Sequence, residues 1–409
     1  MNKKNFLEGI MVGIVLAMSV NVLASFALPA LVQSAPARSQ NASGLFSESN
    51  KELTTEDKLS RIHKIIDSYY DGEYSDNTLE DSMYWGLVAG LDDVYSSYLS
   101  TEDFKIFNEQ TEGQYAGIGA VVTATEEGRV MVVSPYDGSP AANAGIMPKD
   151  IIMEVNGMDT RGAGLDVVVS MMKGEPGTTV NITLYRESEK RTFDVDIVRD
   201  TIVIQTVSKK MLDNNIGYIR LSGFERVTYR QFADALNALK AEGAQGFVLD
   251  VRNNPGGLLD VVADICNLLV PQGDIVYTED KYGQKDFLKS DKNYLNMPLV
   301  LLVNGNSASA SEVMAGAIKD HGVGILIGEQ TFGKGVVQNI YPLADGSAVK
   351  VTIARFYSPN GICIHGEGIT PDYVVEMEPE LSSNISTLEY EEDIQLQKAV
   401  EVLSEKLAQ

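Results

Sequence analysis

The chain has 409 residues, enough for two or three domains, and at 44% hydrophobic and 22% charged residues it is neither a wholly disordered chain nor a polytopic membrane protein. Asp and Glu number 57 against 33 Lys and Arg, a formal net charge of −24, and a surface so acidic repels phosphate backbones, which excludes nucleic acid as a partner. Cys266 and Cys363 are the 2 cysteines; they form no CxxC motif or disulfide scaffold and read as free, buried thiols. With 3 histidines (His63, His321 and His365) and no HExxH, no metal or other cofactor is expected.

Residues 1–32 read as a targeting segment. Lys3 and Lys4 precede an apolar stretch from Gly9 to Val32, which as a helix would span about 36 Å, enough for a bilayer's hydrocarbon core. Basic residues ahead of it place the N-terminus in the cytoplasm and the rest of the chain outside. Length favours a single-pass anchor in the cell membrane; small residues around Ala24–Ala27 and Ala35–Ala37 leave open a cleaved signal peptide and a secreted product. Residues 33–55, rich in Ser, Asn and Ala, read as a linker.

Residues 56–112 form the next region. Apolar residues fall at helical spacing at Leu59, Ile62, Ile65, Ile66 and Tyr69, and again from Met83 to Leu91, with a break at Asp71-Gly72. Over 113–200, short β-rich runs alternate with glycine turns: Ala120–Thr123, Val130–Val133, Ile151–Val155, Val180–Tyr185 and Thr192–Val198, with one helix near Leu165–Lys173. Over 201–380, strands alternate with amphipathic helices: strand Ile216–Leu221, helix Tyr229–Ala241, strand Gly246–Val251, helix Leu258–Val270, strand Leu299–Val303, helix Ala310–Asp320 and strand Gly324–Gly328. This alternation predicts an open α/β sheet with its ligand at the carboxyl ends of the strands. Residues 381–409 form an acidic tail, with a terminal helix over Leu388–Leu407.

Three motifs can carry chemistry. Asn304 to Glu312 includes Ser307, Ser309 and Ser311 directly after an apolar strand; small residues at a strand-to-helix turn expose a side chain beside helix N-terminal amides, although Ser309 and Glu312 also fit an ordinary capping box. Gly328 to Gly335 fits GxxxxGK but ends on Gly335 where a P-loop requires Ser or Thr, and Val336–Leu343 reads as a strand, so a nucleotide site is rejected. Lys334, set among Phe332, Val336 and Val337, is then either a solvated surface lysine or a desolvated base that loses its proton readily. Asp250 to Gly257 ends in paired glycines after a strand, which present amides to a ligand or simply make a tight turn.

Together these motifs resemble the C-terminal processing peptidases, also called tail-specific proteases, from about Glu56 to Asp372. The resemblance implies a serine endopeptidase whose nucleophile is Ser309 and whose general base is Lys334, with Gln338 orienting the lysine. It implies an oxyanion hole made by the backbone N–H groups of Gly257 and Ala310. His321, beside Asp320, reads as a helix C-terminal cation rather than a catalytic base. The 113–200 segment resembles a PDZ domain of the bacterial protease type, with Gly117, Ile118, Gly119 and Ala120 as its carboxylate-binding loop. Two residues depart from the pattern: Lys149 stands where glycine is usual before Asp150, and His365 where glutamine is more frequent.

The expected architecture is therefore multidomain α/β: an open α/β protease core, an inserted β-rich PDZ domain, and helical N- and C-terminal regions. The expected partners are proteins or peptides with free C-termini, recognised by a PDZ domain that regulates activity, and a second copy of the chain in a homodimer. The alternatives are a catalytically idle PDZ scaffold that binds protein tails and, more weakly, a peptidoglycan or small-molecule hydrolase.

Overall fold

The computed structural model describes residues 53–408; the expected anchor or signal and nearly all of the linker lie outside them. Among the described residues no helix is long and apolar enough to cross a membrane. The chain divides into two units, Met1–Tyr74 and Ser75–Gln409.

In the first unit, helix α1 (Thr55–Tyr69) starts at a reciprocal cap. The Asp57 N–H donates to Thr54 Oγ1 at 3.1 Å while the Thr54 N–H donates to Asp57 Oδ2 at 3.4 Å, satisfying two otherwise orphaned donors. Its apolar residues Leu59, Ile62, Ile65 and Tyr69 are exposed.

The second unit is built on a six-stranded sheet with its strands in chain order: Val207–Leu212, Ile216–Leu221, Gly246–Asp250, Leu299–Val303, Gly324–Gly328 and Tyr373–Val374. The first pair is antiparallel and every later pair parallel. Helices connect the parallel strands, and a sheet covered on both faces needs strands apolar at every position. Leu299–Val303 is buried throughout. The period of two then sorts its residues. Phe247, Leu249, Leu299 and Leu301 face a core with the helices Thr228–Ala241, Leu259–Asn267 and Ala310–His321. Val248, Val300 and Leu302 face the helix Ile394–Leu407 through Leu396, Ala399, Val402 and Leu403.

A second sheet joins Ser97–Leu99, Ala348–Tyr357, Gly273–Asp280, Lys285–Ser290 and Val336–Pro342. The β-rich segment forms a separate sheet in the order Ala120–Ala124, Val130–Pro135, Ile151–Val155, Thr179–Arg186 and Arg191–Val198, with its own core and the helix Leu165–Met172. Its entry strand Gln114–Gly117 pairs antiparallel with its exit strand Asp200–Val203, so this domain is inserted through a two-stranded stem. Buried Arg186 donates to both oxygens of Asp150, at 2.8 and 2.7 Å, a bidentate pair that fixes the turn before Ile151–Val155. Lys149, just ahead, has φ 72°, the left-handed conformation that glycine adopts without strain and lysine does not.

The α/β class and the inserted β-rich domain match the expectation. The differences are local. The terminal helix starts at Ile394 rather than Leu388, because Ile385–Thr387 forms only a short 3₁₀ turn before the Asp393 cap. The helix Thr101–Glu112 buries none of its residues and carries no strong apolar stripe. The hairpin strands Gly273–Asp280 and Lys285–Ser290 are broken by charges and half exposed.

Candidate active site

Two turns leave the carboxyl ends of adjacent parallel strands and meet. After Leu299–Val303, the turn 304–309 leads into the helix Ala310–His321. Asn304 and Asn253 exchange hydrogen bonds: the Asn253 N–H donates to Asn304 Oδ1 at 2.9 Å, and Asn304 Nδ2 donates to Asn253 Oδ1 at 2.7 Å. Buried Asn254 joins the turns again, its carbonyl accepting from the Ala308 N–H at 3.1 Å and the Ser311 hydroxyl at 2.9 Å. Gly256 lies so close that a Cβ there would stand 2.8 Å from Ser309 Cβ and 3.0 Å from the Ala310 nitrogen, so only glycine fits.

These contacts separate the three serines. Ser307 is buried and donates to the Val251 carbonyl at 2.8 Å. Ser311 is buried and committed to Asn254. Ser309 is half-buried, and among the described residues its hydroxyl donates to no acceptor. Its backbone has φ 55° and ψ −113°, a conformation costing an L-residue about 1–3 kcal/mol and held only by its surroundings. That geometry turns the side chain out of the helix at the strand-to-helix corner. The expected capping box is present: the Ser309 N–H donates to Glu312 Oε2 at 2.9 Å, and the Glu312 N–H, which donates to the Ser309 carbonyl at 2.8 Å, also faces the Ser309 side chain. The N–H groups of Gly257 and Ala310, beside Ser309, likewise enter no recorded hydrogen bond among the described residues.

Glu312 is fully buried and its two oxygens accept four hydrogen bonds. Oε1 takes the Thr331 hydroxyl and the Gly333 N–H, each at 2.7 Å, and Oε2 takes the Ser309 N–H at 2.9 Å and the Lys334 N–H at 2.8 Å. One carboxylate thus fixes the lysine loop against the serine turn.

Lys334 is half-buried. Burial and the nearby Lys350 ammonium push its pKa below the ordinary lysine value, against the opposing pull of Asp93 and Glu312. Its Nζ lies 4.8 Å from the centroid of the Tyr95 ring. The expected neighbour Phe332 is instead exposed. Gln338 Nε2 donates to Thr352 Oγ1 at 3.2 Å; among the described residues its amide oxygen accepts no hydrogen bond, and none joins it to Lys334. Ser309, Ala310, Gly257, Lys334, Gln338 and Lys350 line one cavity of about 600 Å³, whose other walls include Phe104, Phe107, Leu258, Val313 and Phe356. His321 is not among its lining residues and lies 2.8 Å, through Nε2, from the Asp274 carbonyl oxygen.

In the inserted domain, Gly117 ends the entry strand and Ile118 and Gly119 form the loop before Ala120. The Ile118 and Gly119 carbonyls accept from the N–H groups of Ala141 at 2.8 Å and Tyr136 at 2.9 Å, while the loop's own Ile118 and Gly119 N–H groups enter no recorded hydrogen bond among the described residues.

The chain is 40% identical over 323 residues to the "Carboxy-terminal processing protease CtpA" of Bacillus subtilis (strain 168), covering 78% of this chain and 69% of that one. It belongs to the C-terminal processing peptidases. The Peptidase family S41 model matches residues 215–375 and the PDZ domain model residues 116–197. A Staphylococcus aureus (strain COL) protein named "Probable CtpA-like serine protease" is 37% identical over 350 residues, 85% of this chain and 69% of its own. A solved chain from Bacteroides fragilis, classed with the S41 proteases, covers 88% of this chain and 99% of itself at TM-score 0.50 and 17% identity, a likeness of fold. The protein is thus a serine-type peptidase carrying a PDZ domain.

Two features around this peptidase site carry no signal in the local sequence. Tyr95 reaches Lys334 only because Ser97–Leu99 pairs with Ala348–Tyr357. Asp250 and Arg252 are fully buried rather than turned to a ligand. Away from the site, Cys266 is buried as expected, its thiol pKa pushed up by burial, whereas Cys363, also expected to be buried, is half exposed.

Glu312→Gln brings an amide N–H₂ against donors that require an acceptor. Each buried donor left unsatisfied costs about 1–3 kcal/mol, and a displaced lysine loop is expected to lower kcat/KM about a hundredfold. Steady-state kinetics alongside thermal denaturation measure both, and near-native kcat/KM contradicts the bridging role.

Proposed function

We propose that the protein is an extracytoplasmic serine endopeptidase, held at the cell membrane by its N-terminal segment, in which Ser309 is the nucleophile and Lys334 the general base. The observation that carries this reading is the Ser309 hydroxyl, which donates to no acceptor among the described residues and stands half-buried at a strained corner in one cavity with a lysine whose pKa is depressed. Neutral Lys334 takes the proton of Ser309 Oγ as that oxygen attacks the scissile carbonyl. The oxyanion receives the N–H groups of Gly257 and Ala310. The Lys334 ammonium returns its proton to the leaving amine, and water then hydrolyses the acyl-enzyme by the same route. Gln338 Oε1 is the acceptor left to orient the lysine once it turns to Ser309. The basic-then-apolar start of the sequence supports the anchored location, and the exposed apolar stripe of α1 supports a homodimer formed through terminal regions.

Regulation by the PDZ domain is part of the proposal. Lys173, the C-cap of the PDZ helix Leu165–Met172, pairs with Glu109 at 2.6 Å, and Glu109 lies on the helix Thr101–Glu112 whose Phe104 and Phe107 line the cavity. A peptide added beside Ala120–Ala124, its carboxylate on the Ile118 and Gly119 amides, would act on that connection. One observation favours the idle-scaffold alternative: Lys334 rests over Tyr95 rather than on Ser309.

Ser309→Ala is expected to reduce proteolysis by a factor on the order of a thousand or more, and Lys334→Arg to be equally inactive because guanidinium keeps its proton. In the active chain kcat/KM rises with pH through a Lys334 pKa below the ordinary value of 10.5. Removing the like charge by Lys350→Met relieves the repulsion, raises that pKa and moves the rising limb to higher pH. A pH–rate profile shifted the other way refutes lysine as the base, and intact binding without any cleavage supports the scaffold.

Amidating a substrate's C-terminus removes the charge that the two loop amides would receive. Charge-assisted hydrogen bonds contribute roughly 1.5–3 kcal/mol, so affinity measured by calorimetry should fall about tenfold or more. Equal affinity for the free-acid and amidated peptides removes tail recognition by this loop.

A further inference from the structure

The C-terminal segment, beyond the residue 375 at which the S41 match ends, reaches back beneath the glycine turn. Arg252, three residues before Pro255, is a fully buried arginine. Its guanidinium donates through Nε to Asp250 Oδ1 at 3.0 Å and through Nη2 to Asp250 Oδ2 at 2.6 Å and Asp393 Oδ2 at 2.7 Å. Nη1 donates only into the C-terminal segment, to Asp393 Oδ1 at 2.8 Å and Gln395 Oε1 at 3.0 Å. Asp393 is itself fixed, capping the helix Ile394–Leu407 by accepting from the Leu396 N–H at 2.9 Å. A second tie lies one residue along, where Asn253 Nδ2 donates to the Ser382 carbonyl at 2.7 Å.

We propose that Asp393 is a positioning residue for the peptidase reaction: by holding Arg252 from the side opposite Asp250 it fixes the 253–257 turn, and the C-terminal segment thereby sets the oxyanion donor at Gly257. This rests on the Ser309–Lys334 reading above. Without Asp393 the buried guanidinium loses a bidentate anionic partner, leaving Nη1 on neutral Gln395 and Nη2 on Asp250, and a charge so weakly held pulls its backbone toward a new partner. That backbone runs directly into Asn254, whose carbonyl holds both Ala308 and Ser311, so a displacement moves the glycine turn and the serine corner together.

Full-length Asp393→Asn and Asp393→Glu chains are compared with the native chain well below their melting temperatures. Asp393→Asn should lower kcat about tenfold with KM within about twofold, and weaken by a similar factor a peptide aldehyde whose hemiacetal oxygen would occupy the Gly257 and Ala310 amides. Asp393→Glu, which keeps the charge, should recover part of the loss. A merely structural role would lower the melting temperature and leave kcat per folded molecule unchanged, and that result overturns the proposal. If Asp393→Asn fails to fold, Gln395→Met decides: kcat should fall about threefold or more at constant KM, and native kcat overturns the proposal. Ser309→Ala in parallel separates the two readings, since cleavage by that variant defeats the site assignment, whereas its inactivity beside fully active Asp393 and Gln395 variants defeats the positioning role alone.

Discussion

The carboxylate of Glu312 ties the serine turn to the lysine loop, beside a single backbone bond from the Phe332 N–H to the Ser307 carbonyl at 3.1 Å. From the first turn of the helix Ala310–His321 it accepts the Ser309 N–H, and from the loop after Gly324–Gly328 it accepts the N–H groups of Gly333 and Lys334 and the Thr331 hydroxyl. A buried carboxylate is costly to desolvate, and four converging donors offset that cost only in one arrangement of the two chain segments. The Ser309 backbone strain is sustained by the same contact, because its N–H is committed to Glu312 whichever way the hydroxyl faces.

The rest of the second unit supplies a rigid floor for that arrangement. Adjacent parallel strands deliver two turns to one end of the sheet, where the side chains of Asn253, Asn304 and Ser307 bond the turns to each other and Asn254 Nδ2 donates to the Leu221 carbonyl. Helices pack on one face of the sheet and the C-terminal helix on the other, so the Arg252 ion cluster is enclosed. The second sheet sets the surroundings of the lysine: it carries Lys350 and Gln338, and through Ser97–Leu99 it brings Tyr95 over the lysine.

Much of this was legible in the residues because burial on both faces leaves an unmistakable apolar run. Leu299–Val303 and Gly324–Gly328 are strands with the bounds that their pattern indicates, and the turn after the first holds the serine motif. Elements that bury only one edge leave no such trace, as with the helix Thr101–Glu112 and the charged hairpin of Gly273–Asp280. Among the site residues, Ser309, Lys334, Gly257, Ala310 and Gln338 are those that the family resemblance carried by three motifs implies, and all line one cavity. The contacts that orient them were not visible, because Tyr95 on Lys334 and Asp393 on Arg252 depend on long-range pairing rather than spacing. Glu312 was visible only as a capping residue, since nothing local reveals that its carboxylate faces a loop from the next strand.

The central claim is that Ser309 is a nucleophile activated by Lys334. A fluorophosphonate, which exchanges its P–F bond for a bond to an activated serine oxygen, tests it most directly when the adduct is located by peptide mass spectrometry. The account predicts a single adduct on Ser309 in the native chain and its loss in Lys334→Ala. An adduct on Ser307 or Ser311, or undiminished labelling of Ser309 without the lysine, would contradict it.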